Sequence, residues 1–128
     1  VKLLDILPDD KAEIKGKLID LADNKKIDLI VTTGGTGIGP RDVTPEATLE
    51  VIELELKGVE EQLRRYGQER TPFSMFTRGI AGVRGESLII NLPGSTNGVK
   101  EGIEAIFPGI LHAFPMLAGM GHQEHHHK

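Results

Sequence analysis

Cysteine and tryptophan are absent from the 128-residue chain, and only one tyrosine and four phenylalanines are present. The absence of cysteine excludes disulfides, a thiolate nucleophile and cysteine-ligated zinc. The shortage of aromatic residues argues against a surface on which nucleic-acid bases stack. Positive charge is also not in excess, because 15 Lys and Arg face 19 Asp and Glu, for a formal net charge of −4. We therefore expect no nucleic-acid partner.

Long apolar runs are missing as well. No stretch approaches the roughly 20 residues that a membrane-spanning helix requires, and no signal peptide is visible at the start. We expect a cytoplasmic protein without a membrane partner. The length corresponds to one ordinary domain. We assign residues 1–118 to that domain and residues 119–128 to a polar tail, whose histidines resemble a purification tag more than a natural metal-binding tail.

Apolar β-branched runs alternate along the chain with segments of helical periodicity. Strands are predicted at Lys2–Leu7, Asp28–Thr33, Gly79–Val83 and Ser87–Leu92. Helices are predicted from Asp10 to about Asn24, from Thr44 through Leu54, over Val59–Tyr66, from about Thr96 through Ile106, and from Pro108 to about Leu117. Asp10 and Thr44 are residue types that cap helices, and Pro45 follows Thr44 in a favoured position. The pattern predicts an α/β domain with a mostly parallel sheet and helices on both faces.

Two loops follow predicted strands, Gly34–Asp42 and Pro93–Ser95. In parallel sheets, ligands bind where loops leave the carboxyl ends of strands. Gly34, Gly35, Thr36 and Gly37 can approach a ligand closely, and their glycines can adopt positive φ. Their N–H groups can hold phosphate oxygens, although a turn that needs glycines only for its conformation is an equal alternative. The loop is neither a Walker A motif nor a dinucleotide fingerprint, because no Gly-Lys-Ser/Thr follows and Pro40 stands where a third glycine belongs.

Several polar residues beside these loops are candidates for chemistry. Asp42 can hold Mg²⁺ through one carboxylate and waters, and a surface ion pair or helix cap is the alternative. Asp9 precedes the helix cap and is freer than Asp10 to face a ligand, and a capping role is its alternative. Pro93, Gly94 and Ser95 offer backbone donors and a hydroxyl, or a simple turn with a cap. Arg78 and Arg84 are candidate phosphate ligands, but single arginines are more often solvated.

Three blocks, TTGGTG, RDVTPEAT and LIINLPGS, occur in this order. Together they resemble the molybdopterin adenylyltransferases, a family that includes the gephyrin G domain, over about residues 2–117. The resemblance implies the molybdopterin-binding fold and adenylyl transfer from ATP, with Mg²⁺, to the terminal phosphate of molybdopterin. It also implies a homotrimer and a downstream molybdenum-insertion enzyme as partner. A non-catalytic scaffold or a molybdopterin-binding homologue without adenylylation remains an alternative.

The resemblance also implies roles for particular residues. Asp9 and Asp42 match the two catalytic aspartates of the family, and Asp42 is the expected metal ligand. The expected substrate-binding residues are Gly34, Gly35, Thr36, Gly37, Pro93, Gly94 and Ser95. The family has a first strand and a loop rich in Ser, Asp and Gly before the strand that matches Lys2–Leu7. The sequence has neither, so we expect a domain truncated at its N-terminus.

Overall fold

The computed structural model describes residues 7–119. The predicted strand Lys2–Leu7, except Leu7, and the tail after Gly119 lie outside the described residues. The helices are α1 (Lys11–Ile19), α2 (Thr44–Val51), α3 (Lys57–Gln68), α4 (Thr96–Ile106) and α5 (residues 113–119). The strands are β1 (Leu29–Thr33), β2 (Leu54–Glu55), β3 (Ala81–Arg84) and β4 (Ser87–Leu92). A π-helical turn, Asp20–Asn24, extends α1, and 3₁₀ turns cover Pro72–Phe76 and Gly109–His112.

The four strands form one mixed sheet in the order β1-β4-β3-β2. β1 and β4 are parallel, with Thr33 opposite Leu92, whereas β3 is antiparallel to both β4 and β2. The tight turn from β3 to β4 contains Gly85 at a φ of +59°, and such a short connection allows only antiparallel pairing. The predicted α/β class is confirmed, and the sheet is not wholly parallel.

Helices cover both faces of the sheet, as predicted. Because side chains alternate along a strand, β4 contributes to two cores. Leu88, Ile90 and Leu92 pack with α3, α4 and the chain after α4, whereas Ile89 packs with Ile30 of β1 and with α1 and α2. Each of these β4 side chains is fully buried, and burial of one stabilises the fold by about 1.5–3 kcal/mol.

The predicted helix starts have mixed outcomes. Asp10 caps α1, because its Oδ1 accepts a hydrogen bond of 3.0 Å from the Glu13 N–H. Thr44 is not a cap. It is the first residue of α2, Val43 occupies the cap position without a side-chain hydrogen bond, and Thr44 itself is buried. The side chain of Thr44 packs against the loop that follows β1, where its hydroxyl lies close to Gly35.

The predicted extension of α2 to Leu54 is wrong. The helix ends at Val51, and Leu54 lies in β2 opposite Val83. The Glu53 N–H donates to the Val83 carbonyl at 2.7 Å, so backbone pairing with β3 replaces the helical hydrogen bonds. The next helix starts earlier than expected and contains Gly58.

Within residues 7–119, no single helix has the length and apolarity of a membrane span. The bent pair of Thr96–Ile106 and Gly109–Gly119 meets those two criteria when the halves are taken together.

Candidate functional site

The loop after β1 begins with two glycines in the left-handed region. Gly34 has a φ of +90° and Gly35 a φ of +69°, so both need the freedom that glycine has. The Gly34 N–H donates to the Leu92 carbonyl at 2.9 Å, and the Gly35 carbonyl accepts from the Thr44 N–H at 3.2 Å. These bonds attach the loop to the end of β4 on one side and to the start of α2 on the other.

The two predicted ligand loops meet at the carboxyl edge of the parallel strands. A Cβ placed on Gly94 would lie 3.1 Å from the Cα of Gly34. This close approach follows from the parallel pairing of β1 and β4, which brings both loops to the same edge of the sheet. Glycine at position 94 therefore allows the loop Pro93–Ser95 to contact the glycine loop directly.

Asp42 is bound into the glycine loop rather than projecting from it. Its Oδ2 accepts the Gly39 N–H at 2.8 Å, and its own N–H donates to the Gly39 carbonyl at 3.1 Å. A Cβ on Gly37 would lie 2.9 Å from the same Oδ2. The expectation of positive φ at Gly37 is wrong, since among the described glycines only Gly34, Gly35 and Gly85 adopt it. Glycine at position 37 instead leaves room for the Asp42 carboxylate.

Four consecutive backbone N–H groups in this loop are not used by the protein within residues 7–119. Within the part of the chain that the structure describes, the N–H groups of Gly35, Thr36, Gly37 and Ile38 have no hydrogen-bond acceptor. Thr36 is nevertheless buried, at 4% exposure. Consecutive main-chain donors of this kind can hold anionic oxygens.

Arg78 supports the loop from the connection that precedes β3. Its backbone N–H donates to the Thr36 carbonyl at 2.8 Å. Its Nε donates to the Gly37 carbonyl and its Nη2 to the Asp42 carbonyl, both at 2.8 Å. Its Nη1 pairs with the Glu46 carboxylate on α2. The hydrogen bond from Arg78 holds the pKa of Glu46 below its usual range.

The other candidate arginine binds elsewhere. Arg84 donates from Nε and Nη2 to the Asp23 carboxylate at 3.0 and 2.8 Å, and from Nη1 to the Val51 carbonyl at 2.9 Å. It lies at the end of β3, which is opposite the carboxyl edge of β1 and β4. Sequence reasoning treated Arg78 and Arg84 alike, and only the loop carbonyls around Arg78 distinguish them.

The remaining predicted residues lie in two cavities. Asp9, which is exposed, lines a cavity of about 350 Å³ between α1 and β1, together with Gly34 and Gly35. Pro93 and Ser95 line a second cavity of about 440 Å³ beside α3. The Ser95 hydroxyl accepts the Gly98 N–H at 2.9 Å and so caps α4. Thr36, Gly37, Asp42 and Gly94 line neither cavity.

A preformed metal cage is not part of this arrangement. Within residues 7–119, no group of three or more His, Asp or Glu side chains is placed to hold an ion. A cation at this edge of the sheet would depend on single carboxylates together with ligand oxygens.

Comparison with known proteins adds to this geometry. The family model described as "Probable molybdopterin binding domain" matches residues 1–113. The chain belongs to this molybdopterin-binding family. The recognition made from the three sequence blocks is thereby confirmed.

Relatives within the molybdopterin-binding family extend the comparison. The chain is 43% identical over 122 residues to the molybdenum cofactor biosynthesis bifunctional protein of Chlorobaculum tepidum, covering 95% of this chain and 39% of that protein. It is 41% identical over 115 residues to the molybdopterin adenylyltransferase of Helicobacter pylori, covering 90% of this chain and 65% of that enzyme. The crystal structure of the molybdopterin biosynthesis enzyme MoaB from Thermus thermophilus matches with a TM-score of 0.81 at 47% identity, over 88% of this chain and 70% of that one. The chain thus spans less than two thirds of these two curated relatives.

Proposed function

We propose that this domain transfers the adenylyl group of Mg-ATP to the terminal phosphate of molybdopterin. The observation that carries the proposal is the position of the Asp42 carboxylate. It is held inside a glycine loop in which the N–H groups of Gly35, Thr36 and Gly37 have no acceptor among the described residues. The names of relatives at about 41% identity support this reaction class. A scaffold without catalysis would use the Asp42 carboxylate only for its hydrogen bond to Gly39.

The proposed reaction is a substitution at phosphorus. A terminal phosphate oxygen of molybdopterin attacks the α-phosphorus of ATP and forms a new P–O bond. The bond from that phosphorus to the oxygen bridging the α- and β-phosphates breaks, and pyrophosphate leaves with the electron pair. Such a step depends on positioning and charge neutralisation more than on a protein nucleophile. The step therefore does not need a cysteine, which the chain lacks.

Backbone donors are assigned to phosphate binding in this proposal. The N–H groups of Gly35, Thr36 and Gly37 bind phosphate oxygens, and Gly34 allows the approach. Gly94, in contact with Gly34, and its neighbours Pro93 and Ser95 bound the substrate from the other loop. The Ser95 hydroxyl is already engaged as a helix cap, so its backbone is the part available to the substrate.

The two aspartates have separate roles. Asp42 uses Oδ2 to hold Gly39, and its other oxygen has no hydrogen-bond partner within residues 7–119. One carboxylate oxygen fits Mg²⁺ that keeps several waters and is carried by ATP phosphates. We therefore treat the ion as part of the Mg-ATP substrate. Asp9 lines the smaller cavity together with Gly34 and Gly35, and in this proposal it orients substrate from the α1 side.

Assembly and location are further parts of the proposal. We propose a homotrimer that passes its product to a molybdenum-insertion enzyme in the cytoplasm. Phe73 and Met75 on the 3₁₀ turn before β3 are 71% and 62% exposed, and exposed apolar patches are typical of interaction surfaces. The same observation supports the alternative, a self-associating molybdopterin-binding scaffold, which differs from the enzyme by releasing no pyrophosphate.

The test measures pyrophosphate release from ATP and MgCl₂ in the presence and absence of molybdopterin. We expect release that depends on molybdopterin and falls by about 100-fold or more in Asp42→Asn, which keeps the shape of the side chain but loses its charge. Asp28→Asn is the matched control, because Asp28 is exposed and lies just before β1, at the opposite end of the strand from the glycine loop. Tight molybdopterin binding without pyrophosphate release would favour the scaffold.

A further inference from the structure

The connection that precedes β3 lies far along the sequence from the glycine loop, yet one of its residues, Arg78, contacts the loop repeatedly. We infer that Arg78 is a positioning residue, which fixes the loop and Asp42 in the conformation that accepts Mg-ATP, and is not itself a phosphate ligand. This inference rests on the proposed function. It assigns to Arg78 a role different from that of a basic side chain beside a phosphate.

All three nitrogens of the guanidinium are engaged by the protein. Two of them bind the carbonyls of Gly37 and Asp42, each at 2.8 Å, and the third pairs with Glu46. The two carbonyls lie at the two ends of the loop segment 37–42, which contains Gly39. The guanidinium therefore joins the two ends of this segment. Within the segment, Gly39 and Asp42 form a further pair of hydrogen bonds with each other.

Because the peptide group is planar, holding the carbonyl of one residue also fixes the direction of the next N–H group. In a trans peptide, the carbonyl of one residue and the N–H of the next point in opposite directions. Arg78 holds the Thr36 carbonyl with its backbone N–H and the Gly37 carbonyl with its Nε. The N–H groups of Gly37 and Ile38 must therefore point away from Arg78. The backbone N–H of Arg78 thus orients the Gly37 N–H, and its side chain orients the Ile38 N–H and also holds the Asp42 carbonyl.

The shape of the side chain matters more than its charge in this arrangement. A planar guanidinium presents donors in several fixed directions, whereas a lysine ammonium is a single nitrogen on a flexible stem. The pair with Glu46 is solvent-accessible, with side-chain exposures of 36% for Arg78 and 45% for Glu46, and exposed ion pairs add little. The hydrogen bonds to loop carbonyls are the ones that lysine cannot reproduce together.

The test compares Arg78→Lys and Arg78→Ala with the wild-type chain. Arg84→Lys and Arg84→Ala are matched controls, because Arg84 also binds one carboxylate and one carbonyl but lies at the other end of β3. The first readout is amide hydrogen exchange at Gly39 and Asp42, whose N–H groups are hydrogen-bonded within the loop, without substrate. We expect exchange about tenfold faster in both Arg78 variants and unchanged in the Arg84 variants.

The second readout is steady-state adenylyl transfer. We expect kcat/KM for Mg-ATP to fall by about 100-fold in Arg78→Ala, the size of effect that a displacement of about 1 Å can cause, with KM for molybdopterin changed less. Arg78→Lys should rescue little of this loss. In an Asp42→Ala background, Arg78→Ala should lower kcat/KM by less than about threefold further, because the effects of residues that act through one another are not additive.

The outcomes separate the inference from the proposed function. Recovery of activity in Arg78→Lys would indicate a direct charge contact with phosphate and overturn the inference, as would full additivity with Asp42→Ala. An inactive wild-type chain would contradict the proposed function, and hydrogen exchange would then decide the role of Arg78 alone. Unchanged exchange in the loop overturns the inference in either case. If Arg78→Ala melts before the assay temperature, Arg78→Lys supplies the same comparisons.

Discussion

Gly35→Ala tests whether the start of the glycine loop needs glycine for two separate reasons. The first is the backbone, because φ at Gly35 is +69°. The second is space, because a Cβ there would lie 2.4 Å from Oγ1 and 3.3 Å from Cβ of Thr44. Thr44 cannot retreat freely, since it is buried at the start of α2 and donates its N–H to the Gly35 carbonyl.

The expected loss of stability is the sum of these two costs, one for the backbone conformation and one for the steric clash. The left-handed region costs an L-residue about 1–2 kcal/mol. Forcing an extra carbon into a packed site costs about 1–3 kcal/mol more. We therefore expect Gly35→Ala to lower the free energy of unfolding by about 2–5 kcal/mol, a large part of the roughly 5–15 kcal/mol that is usual for a domain.

Urea denaturation of three variants separates the terms. Gly85→Ala is the control for φ, because Gly85 has a φ of +59° and no heavy atom lies within 4 Å of the position that an alanine Cβ would take there. This variant should cost only about 1–2 kcal/mol. Thr44→Ala, added to Gly35→Ala, removes the closest clashing atom and should restore part of the loss. Equal losses for Gly35→Ala and Gly85→Ala would refute the steric half of the reasoning.

Three further predictions concern buried polar groups and the loop. Asn91→Ala should lower the free energy of unfolding by about 2–4 kcal/mol in urea, because its amide binds the Ile80 N–H and two threonine hydroxyls; a loss below about 0.5 kcal/mol, as at a surface site, would contradict this. Burial raises the pKa of Glu60 above 4.5, and a hydrogen bond with the Glu55 carboxyl adds to this rise. The folded state then holds a proton that the unfolded state releases, so stability should fall as pH rises above 4.5, and Glu60→Gln should flatten this slope of melting temperature against pH. Gly37→Val should displace the Asp42 carboxylate and so lower the turnover of Mg-ATP. Unchanged turnover would show that the reaction does not depend on the present position of this carboxylate.

The sequence predicted the elements whose cause is local. β4 forms over Ser87–Leu92 as expected, because a segment of mostly apolar residues between two turns favours a buried strand. α4 starts at Thr96, where Ser95 is followed by residues that permit a helix. The side-chain cap of Asp10 also depends on residues within one turn. The nearness of the two ligand loops followed from one rule, that parallel strands end at a common edge.

Features that depend on distant contacts could not be predicted from the local pattern. The sequence of α2 permits a longer helix, but pairing of Leu54 with Val83 ends it. Thr44 has the residue type of a cap, yet its contact with Gly35 places its side chain inward. The role of Arg78 depends on carbonyls about forty residues earlier, and nothing adjacent to Arg78 signals them.

The most direct test of the proposed reaction follows the label of ATP carrying a radioactive α-phosphorus. The wild-type chain is incubated with this ATP, MgCl₂ and molybdopterin, and the pterin product is separated and counted. Adenylyl transfer predicts that the α-label moves to the pterin while unlabelled pyrophosphate is released, and that Asp42→Asn abolishes most of the transfer. A pterin product without the α-label, or label transferred equally well by Asp42→Asn, would contradict the account.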